Sequence, residues 1–225
     1  MALVSTFELL VKPIAPAGTG PAVVARTVAQ GYFLTIANTG NIPANLRLQF
    51  TANQPNIDLA KTATFIDING TNVKGDLIPT SEPTKFNFNI TVPGNDTILF
   101  TLLPDLVAPN VVTDKNLEIR GYVEVFRSSL FGQDYNLLLT PEHRGTFLPQ
   151  NINAPTPDFD QLAYALPTAN GSSLYQLKSL IIPPVITPAT NGRTSDVSIS
   201  ASEMQEMIGM MAEQMKELEQ RSAAR

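Results

Sequence analysis

Residues 31–50, Gly-Tyr-Phe-Leu-Thr-Ile-Ala-Asn-Thr-Gly-Asn-Ile-Pro-Ala-Asn-Leu-Arg-Leu-Gln-Phe, decide the fold class. Tyr32, Leu34 and Ile36 alternate with Phe33, Thr35 and Ala37, and after Asn38-Thr39-Gly40-Asn41 the residues Leu46, Leu48 and Phe50 alternate with Asn45, Arg47 and Gln49. Period-two alternation on both sides of an Asn/Gly cluster is the pattern of a sheet with one buried and one wetted face. The expectation is a hairpin of two strands at the centre of the core, with Leu34, Ile36, Leu46, Leu48 and Phe50 packed against Phe86, Phe88, Phe100 and Val123.

The same alternation extends outward. Residues 6–14 predict a first strand, followed by a Pro/Gly loop and a strand resuming near Val23–Ala29. Residues 63–68 predict a short strand at a sheet edge that ends in the tight-turn pair Asn69-Gly70. Phe86, Phe88, Ile90 and Val92 alternate with Lys85, Asn87, Asn89 and Thr91, and Pro93-Gly94-Asn95-Asp96 returns the chain to Ile98, Phe100 and Leu102. Leu117, Ile119, Val123 and Val125 share one face of a strand over 117–126. Gly121 falls on that face, which predicts a bulge or a close approach. Residues 135–140 and 144–148 read as the last strand or strand pair, broken by Pro141. Seven to nine strands with frequent turns argue for a sandwich or barrel.

The Asn-Thr-Gly-Asn turn after an alternating strand, Val-Pro-Gly-Asn-Asp between two strands and the Leu-Pro that follows resemble immunoglobulin-like domains of the bacterial adhesion-accessory type. They are also similar to cytoplasmic sperm-protein-like sandwiches. The resemblance covers residues 24–126 and implies an immunoglobulin-like antiparallel β-sandwich without implying an activity.

Residues 1–148 are thus expected to form the β-sandwich domain. Residues 149–194 hold seven prolines and two apolar islands, 158–166 and 172–182, and predict a Pro-rich arm and linker that packs on the sandwich or on a neighbouring subunit. Residues 195–225 predict the one amphipathic, coiled-coil-like helix. Val197, Ala201, Met204, Ile208, Met211, Met215 and Leu218 follow a 4-3 spacing, and Ser200 and Ser202 each precede an acceptor three residues on. Five of the six methionines lie here. Met204, Met207, Ile208, Met211, Met215 and Leu218 are the candidate partner-binding residues, for a second copy or a helical protein partner.

Composition narrows function by exclusion. Of 225 residues 43% are hydrophobic, enough for a sizeable core, while only 16% are charged. The net charge is −5, of which residues 195–225 carry −3, leaving a body near neutrality with no basic stripe. Nucleic-acid binding through phosphate contacts is disfavoured. Absence of cysteine removes disulfides, thiol catalysis and thiolate metal sites. No signal peptide or transmembrane run is legible, which gives the expectation of a cytoplasmic protein.

The candidate chemistry is sparse. His143 is the only histidine. It is a candidate general base, but with no Ser, Cys or metal partner in a motif a structural role is the commoner outcome. Asp67-Ile-Asn69-Gly70-Thr-Asn72 hints at a calcium loop but lacks the closing Glu, and a polar hairpin turn accounts for it. Asp158 and Asp160 read as cap or loop residues. The sequons at Asn69, Asn89, Asn95 and Asn170 arise readily in an Asn/Thr-rich chain. No cofactor or metal site is expected. The functional expectation is a non-enzymatic structural or protein-interaction module that self-associates through its helix and arm. The alternatives are a carbohydrate- or peptide-binding sandwich and a virion or surface-assembly subunit.

Overall fold

Alternating sequences fold here as strands because each buries one row of side chains, and the described chain is built almost wholly from them. The computed structural model describes residues 1–15, 18–21, 25–53, 56–129, 131–149, 151 and 155–179. The expected helix 195–225 and its seam, Met204, Met207, Ile208, Met211, Met215 and Leu218, lie outside these residues.

Twelve antiparallel strands form one curled sheet: β1 (Ala2–Pro13), β2 (Thr27–Asn38), β3 (Ala44–Thr51), β4 (Thr62–Ile68), β5 (Thr71–Gly75), β6 (Ile78–Pro79), β7 (Lys85–Val92), β8 (Asp96–Pro104), β9 (Leu117–Arg127), β10 (Tyr135–Phe147), β11 (Asp160–Ala165) and β12 (Leu174–Leu177). A single helical turn, α1 (Val111–Asp114), precedes β9. Among the described residues no helix is long and apolar enough to cross a membrane.

The curl originates in β2. β10 runs along one of its edges over Val28–Asn38. The other edge is divided: Thr27–Gln30 pairs with β1 and Tyr32–Asn38 with β8. Gly31 stands at the fork, where a side chain would overlap Leu103 and come within 2.9 Å of the Leu102 carbonyl oxygen. From the fork, one half of the sheet continues through β8 and β4 to β5, and the other through β1, β9, β3 and β7 to β6.

The two halves share one core. Phe7, Tyr32, Phe50, Phe88 and Phe100 meet edge-on or stacked, with ring centroids from 4.9 to 6.2 Å apart. Around them the expected residues Leu34, Ile36, Leu46, Leu48, Phe86, Ile90, Val92, Ile98, Leu102, Ile119, Val123 and Val125 are all buried. Gly121 is a close approach: a methyl group there would overlap the Thr51 carbonyl oxygen and lie 2.7 Å from Phe7.

Three expectations are corrected. β2 and β3 are strands, but they do not pair with each other, and neither do β7 and β8. Each connection crosses from one half of the sheet to the other. The crossings are held together by Asn38, whose Nδ2 donates to the carbonyl oxygens of Ile42 (2.7 Å), Val92 (3.1 Å) and Pro93 (3.0 Å), and by the Asn95 N–H donating to the Gly40 carbonyl oxygen at 2.8 Å. Pro141 does not break β10. Its carbonyl faces the β11 side, where it accepts the Leu166 N–H at 2.9 Å, so its missing N–H removes no bond from the β10–β2 ladder. The described residues up to Phe147 contain ten strands rather than seven to nine. Asn69-Gly70 makes the expected tight turn, with both residues at positive φ (54° and 74°) between β4 and β5.

Candidate functional site at the β1–β10–β11 corner

β1 pairs with β2 only from Leu10 to Pro13, and on that side the backbone of its first half needs other partners. The Glu8 N–H donates to His143 Nε2 at 3.0 Å. Farther along, the Val4 carbonyl oxygen accepts the Ala169 N–H at 2.8 Å and the Tyr175 hydroxyl at 3.3 Å. The Ser5 and Tyr32 hydroxyls meet at 3.0 Å in the buried interior.

His143 is only 4% exposed. With Nε2 filled by a backbone N–H, the neutral ring carries its proton on Nδ1 and donates to the Tyr164 hydroxyl at 3.0 Å. Tyr164 donates to Gln30 Oε1 at 3.3 Å, and Gln30 Nε2 donates to the Glu8 carboxylate at 3.1 Å. Burial holds the His143 pKa below its ordinary value, against the opposing pull of the Glu8 charge. Tyr164 is raised, first by burial and then by Glu8. An imidazole with both nitrogens committed in this way cannot accept a substrate proton without breaking the bond that caps Glu8. His143 serves as a structural cap for a diverging strand.

The charges above this network are paired among themselves. Arg120 Nε lies 2.5 Å from Glu8 Oε1, and Arg120 and Lys12 both bind Glu118, whose pKa is lowered first by the hydrogen bond from Lys12. Together with Leu10, Ile14, Leu162 and the half-exposed Tyr164, the side chains of Glu8, Lys12 and Arg120 line a groove of about 480 Å³. Behind it, on the other side of β2 and β11, Phe33, Leu103, Arg144, Gln161 and Ala163 line a cleft of about 570 Å³. Arg144 stacks over Phe33 at 4.7 Å and bonds Glu142 at 2.9 Å.

β11 stands between the two hollows. Arg26 holds its first end by donating to the carbonyl oxygens of Phe147 (3.1 Å) and Asp158 (2.8 Å) and pairing with the Asp160 carboxylate. His143 and Tyr164 hold the other end. Asp158 and Asp160 are therefore anchors for Arg26.

The register and the Leu166–Pro141 bond fix which way each β11 backbone group points. Asp160, Leu162 and Tyr164 face β10, while Gln161, Ala163 and Ala165 direct their N–H and C=O groups outward. No other strand of the described residues pairs with that outward edge. Among the other edges, β5 carries Lys74, β6 is two residues ending in Pro79, β12 has four residues, and β7 is uncovered beyond Asn87, where Asn89 and Thr91 alone turn backbone groups outward.

The sequence placed 158–166 and 172–182 only as apolar islands of an arm. Within them β11 and β12 are strands on successive parts of β10. The alternation of Leu162, Tyr164 and Leu166 with Gln161, Ala163 and Ala165 is the signal that identifies β11. The partnership of Glu8, Gln30, His143 and Tyr164 has no local signature, since Glu8 and His143 alone are 135 residues apart. The hinted calcium loop is the β4–β5 hairpin, with Asp67 opposite Asn72. No protein-family model, curated protein or solved structure matches this chain.

Proposed function

We propose that the protein is a non-enzymatic structural and protein-interaction module that self-associates in the cytoplasm. In this proposal the two halves of the curled sheet are the layers of an immunoglobulin-like sandwich serving as a rigid body. The 149–194 arm and the 195–225 helix supply the contacts between copies. One observation carries the proposal: β11, contributed by the arm, is anchored at both ends yet offers an uncharged row of backbone groups along an open edge. Anchoring lowers the ordering cost of binding, and an open strand edge is a template for pairing with another chain. Light scattering across a concentration series tests the proposal. The full chain is expected to gain mass with concentration, and to lose part of that gain when 195–225 is removed. A monomer at every concentration overturns it, and an oligomer unchanged by the deletion removes the helix from it.

A second reading has its own support. The groove of about 480 Å³ presents Tyr164, Lys12, Arg120 and Glu8 together, a mixture of ring face and paired charges suited to a carbohydrate. Binding on a glycan array, lost in Tyr164→Ala, is the expected result. An array without hits removes this alternative.

A further inference from the structure

We infer that the outer edge of β11 pairs antiparallel with β11 of a second copy, about a two-fold axis through Ala163. This inference deepens the self-association proposed above and rests on it.

The outward backbone groups belong to Gln161, Ala163 and Ala165. With the axis at Ala163, Ala163 lies opposite its own counterpart and Gln161 opposite the partner's Ala165. All the outward residues are then opposed, and each opposed pair exchanges both of its hydrogen bonds. Sliding the axis by one residue toward either end leaves one of them without a counterpart inside the strand. In one direction it sets Gln161 against Pro167, which has no N–H to give.

The side chains agree with this register. Leu162 faces the partner's Tyr164 on the grooved side, an apolar–aromatic cross-strand pair. Ala163 and Ala165 are small enough for close approach on the other side. Residues 161–165 carry no charge, and the Asp160 carboxylate, already paired with Arg26, falls opposite the partner's Leu166. No like charges meet, so β11 is complementary to itself. The same cannot be said of β5, where Lys74 interrupts the edge. A two-fold contact of this kind is closed, so it yields a dimer rather than a fibre. A single strand pair covers less than the roughly 1,200 Å² of a standard interface, which makes the dimer weak and concentration-dependent.

The absence of cysteine gives a clean test in the full chain. Opposed residues of a hydrogen-bonded antiparallel pair have Cα atoms about 5.5 Å apart, inside the range a disulfide spans. Ala163→Cys is expected to give a covalent dimer under oxidised glutathione. Ala165→Cys, whose two copies lie about four residues out of register at roughly 3.4 Å per residue, is expected to cross-link about tenfold more slowly or not at all. Ala163→Pro and Ala163→Lys should weaken the dimer about tenfold or more in sedimentation equilibrium with the unfolding midpoint unchanged, the first by deleting an outward donor and the second by opposing two cations. Equal cross-linking at both positions, none at either, or unchanged association in both other variants overturns the inference. If the unmodified chain associates while these variants have no effect, only the β11 pairing falls. If it never associates, the proposed function falls with it.

Discussion

Replacing His143 separates its role as a cap from its bulk. His143→Leu keeps an apolar side chain of similar size but leaves the Glu8 N–H without an acceptor. A buried unpaired donor costs about 1–3 kcal/mol. The imidazole also meets Tyr32 and Tyr164 edge-on, with centroids 6.3 and 5.3 Å away. Losing these contacts adds about 0.5–1.5 kcal/mol. The leucine variant should therefore lose about 2–4 kcal/mol in urea unfolding at pH 8. His143→Gln carries an amide oxygen to the distance of Nε2 and should recover about 1–2 kcal/mol of that loss.

The pH dependence gives an independent readout. Burial lowers the folded-state pKa of His143 below its ordinary value of 6.5. As pH falls, the unfolded chain takes up this proton first, so the histidine's contribution is complete above 6.5 and is lost progressively below it, down to the folded pKa. The stability difference between wild type and His143→Gln should shrink between pH 7.5 and pH 5. A leucine variant within about 0.5 kcal/mol of wild type, a glutamine variant no better than leucine, or a wild-type–glutamine difference constant with pH would each refute the capping role.

Two further substitutions probe how the sheet is held. Gly121→Ala puts a methyl group onto the Thr51 carbonyl oxygen in the tightest part of the core, and should cost about 3 kcal/mol by its shift in urea midpoint. Asn38→Ala frees the carbonyl oxygens of Ile42, Val92 and Pro93 and should cost about 2–3 kcal/mol. Asn38→Asp should be worse than Asn38→Ala above pH 5, since a carboxylate opposes those same oxygens; equal midpoints for the two variants would count against the capping of the crossings. Gly70→Ala, at φ 74° in the β4–β5 turn, should lose about 1 kcal/mol in the same assay.

Local burial was legible in the sequence and pairing was not. Leu46, Leu48, Phe50, Phe86, Phe88 and Ile90 lie on strands with one wet face, so period two survives in the residue order. The Asn/Gly clusters after β2 and β7 announced that the chain turns. Whether it turns back on its own strand or crosses the core depends on contacts such as Asn38 with Pro93, which are 55 residues apart. Pro141 looked like a break because the side to which its nitrogen points is set only by β11 and β2 together. β11 itself was muted, since it is exposed on both faces and its small residues carry little hydrophobic signal. The corner is more hidden still: Glu8, Gln30, His143 and Tyr164 come from different strands and belong to no motif.

Hydrogen–deuterium exchange of the β11 amides at low and high protein concentration tests the self-pairing edge most directly. The amides of Leu162 and Tyr164, directed at β10, should be protected at both concentrations. Those of Gln161, Ala163 and Ala165 should exchange fast in dilute solution and slow as the concentration rises. Fast exchange at these outward amides at every concentration would contradict a pairing edge.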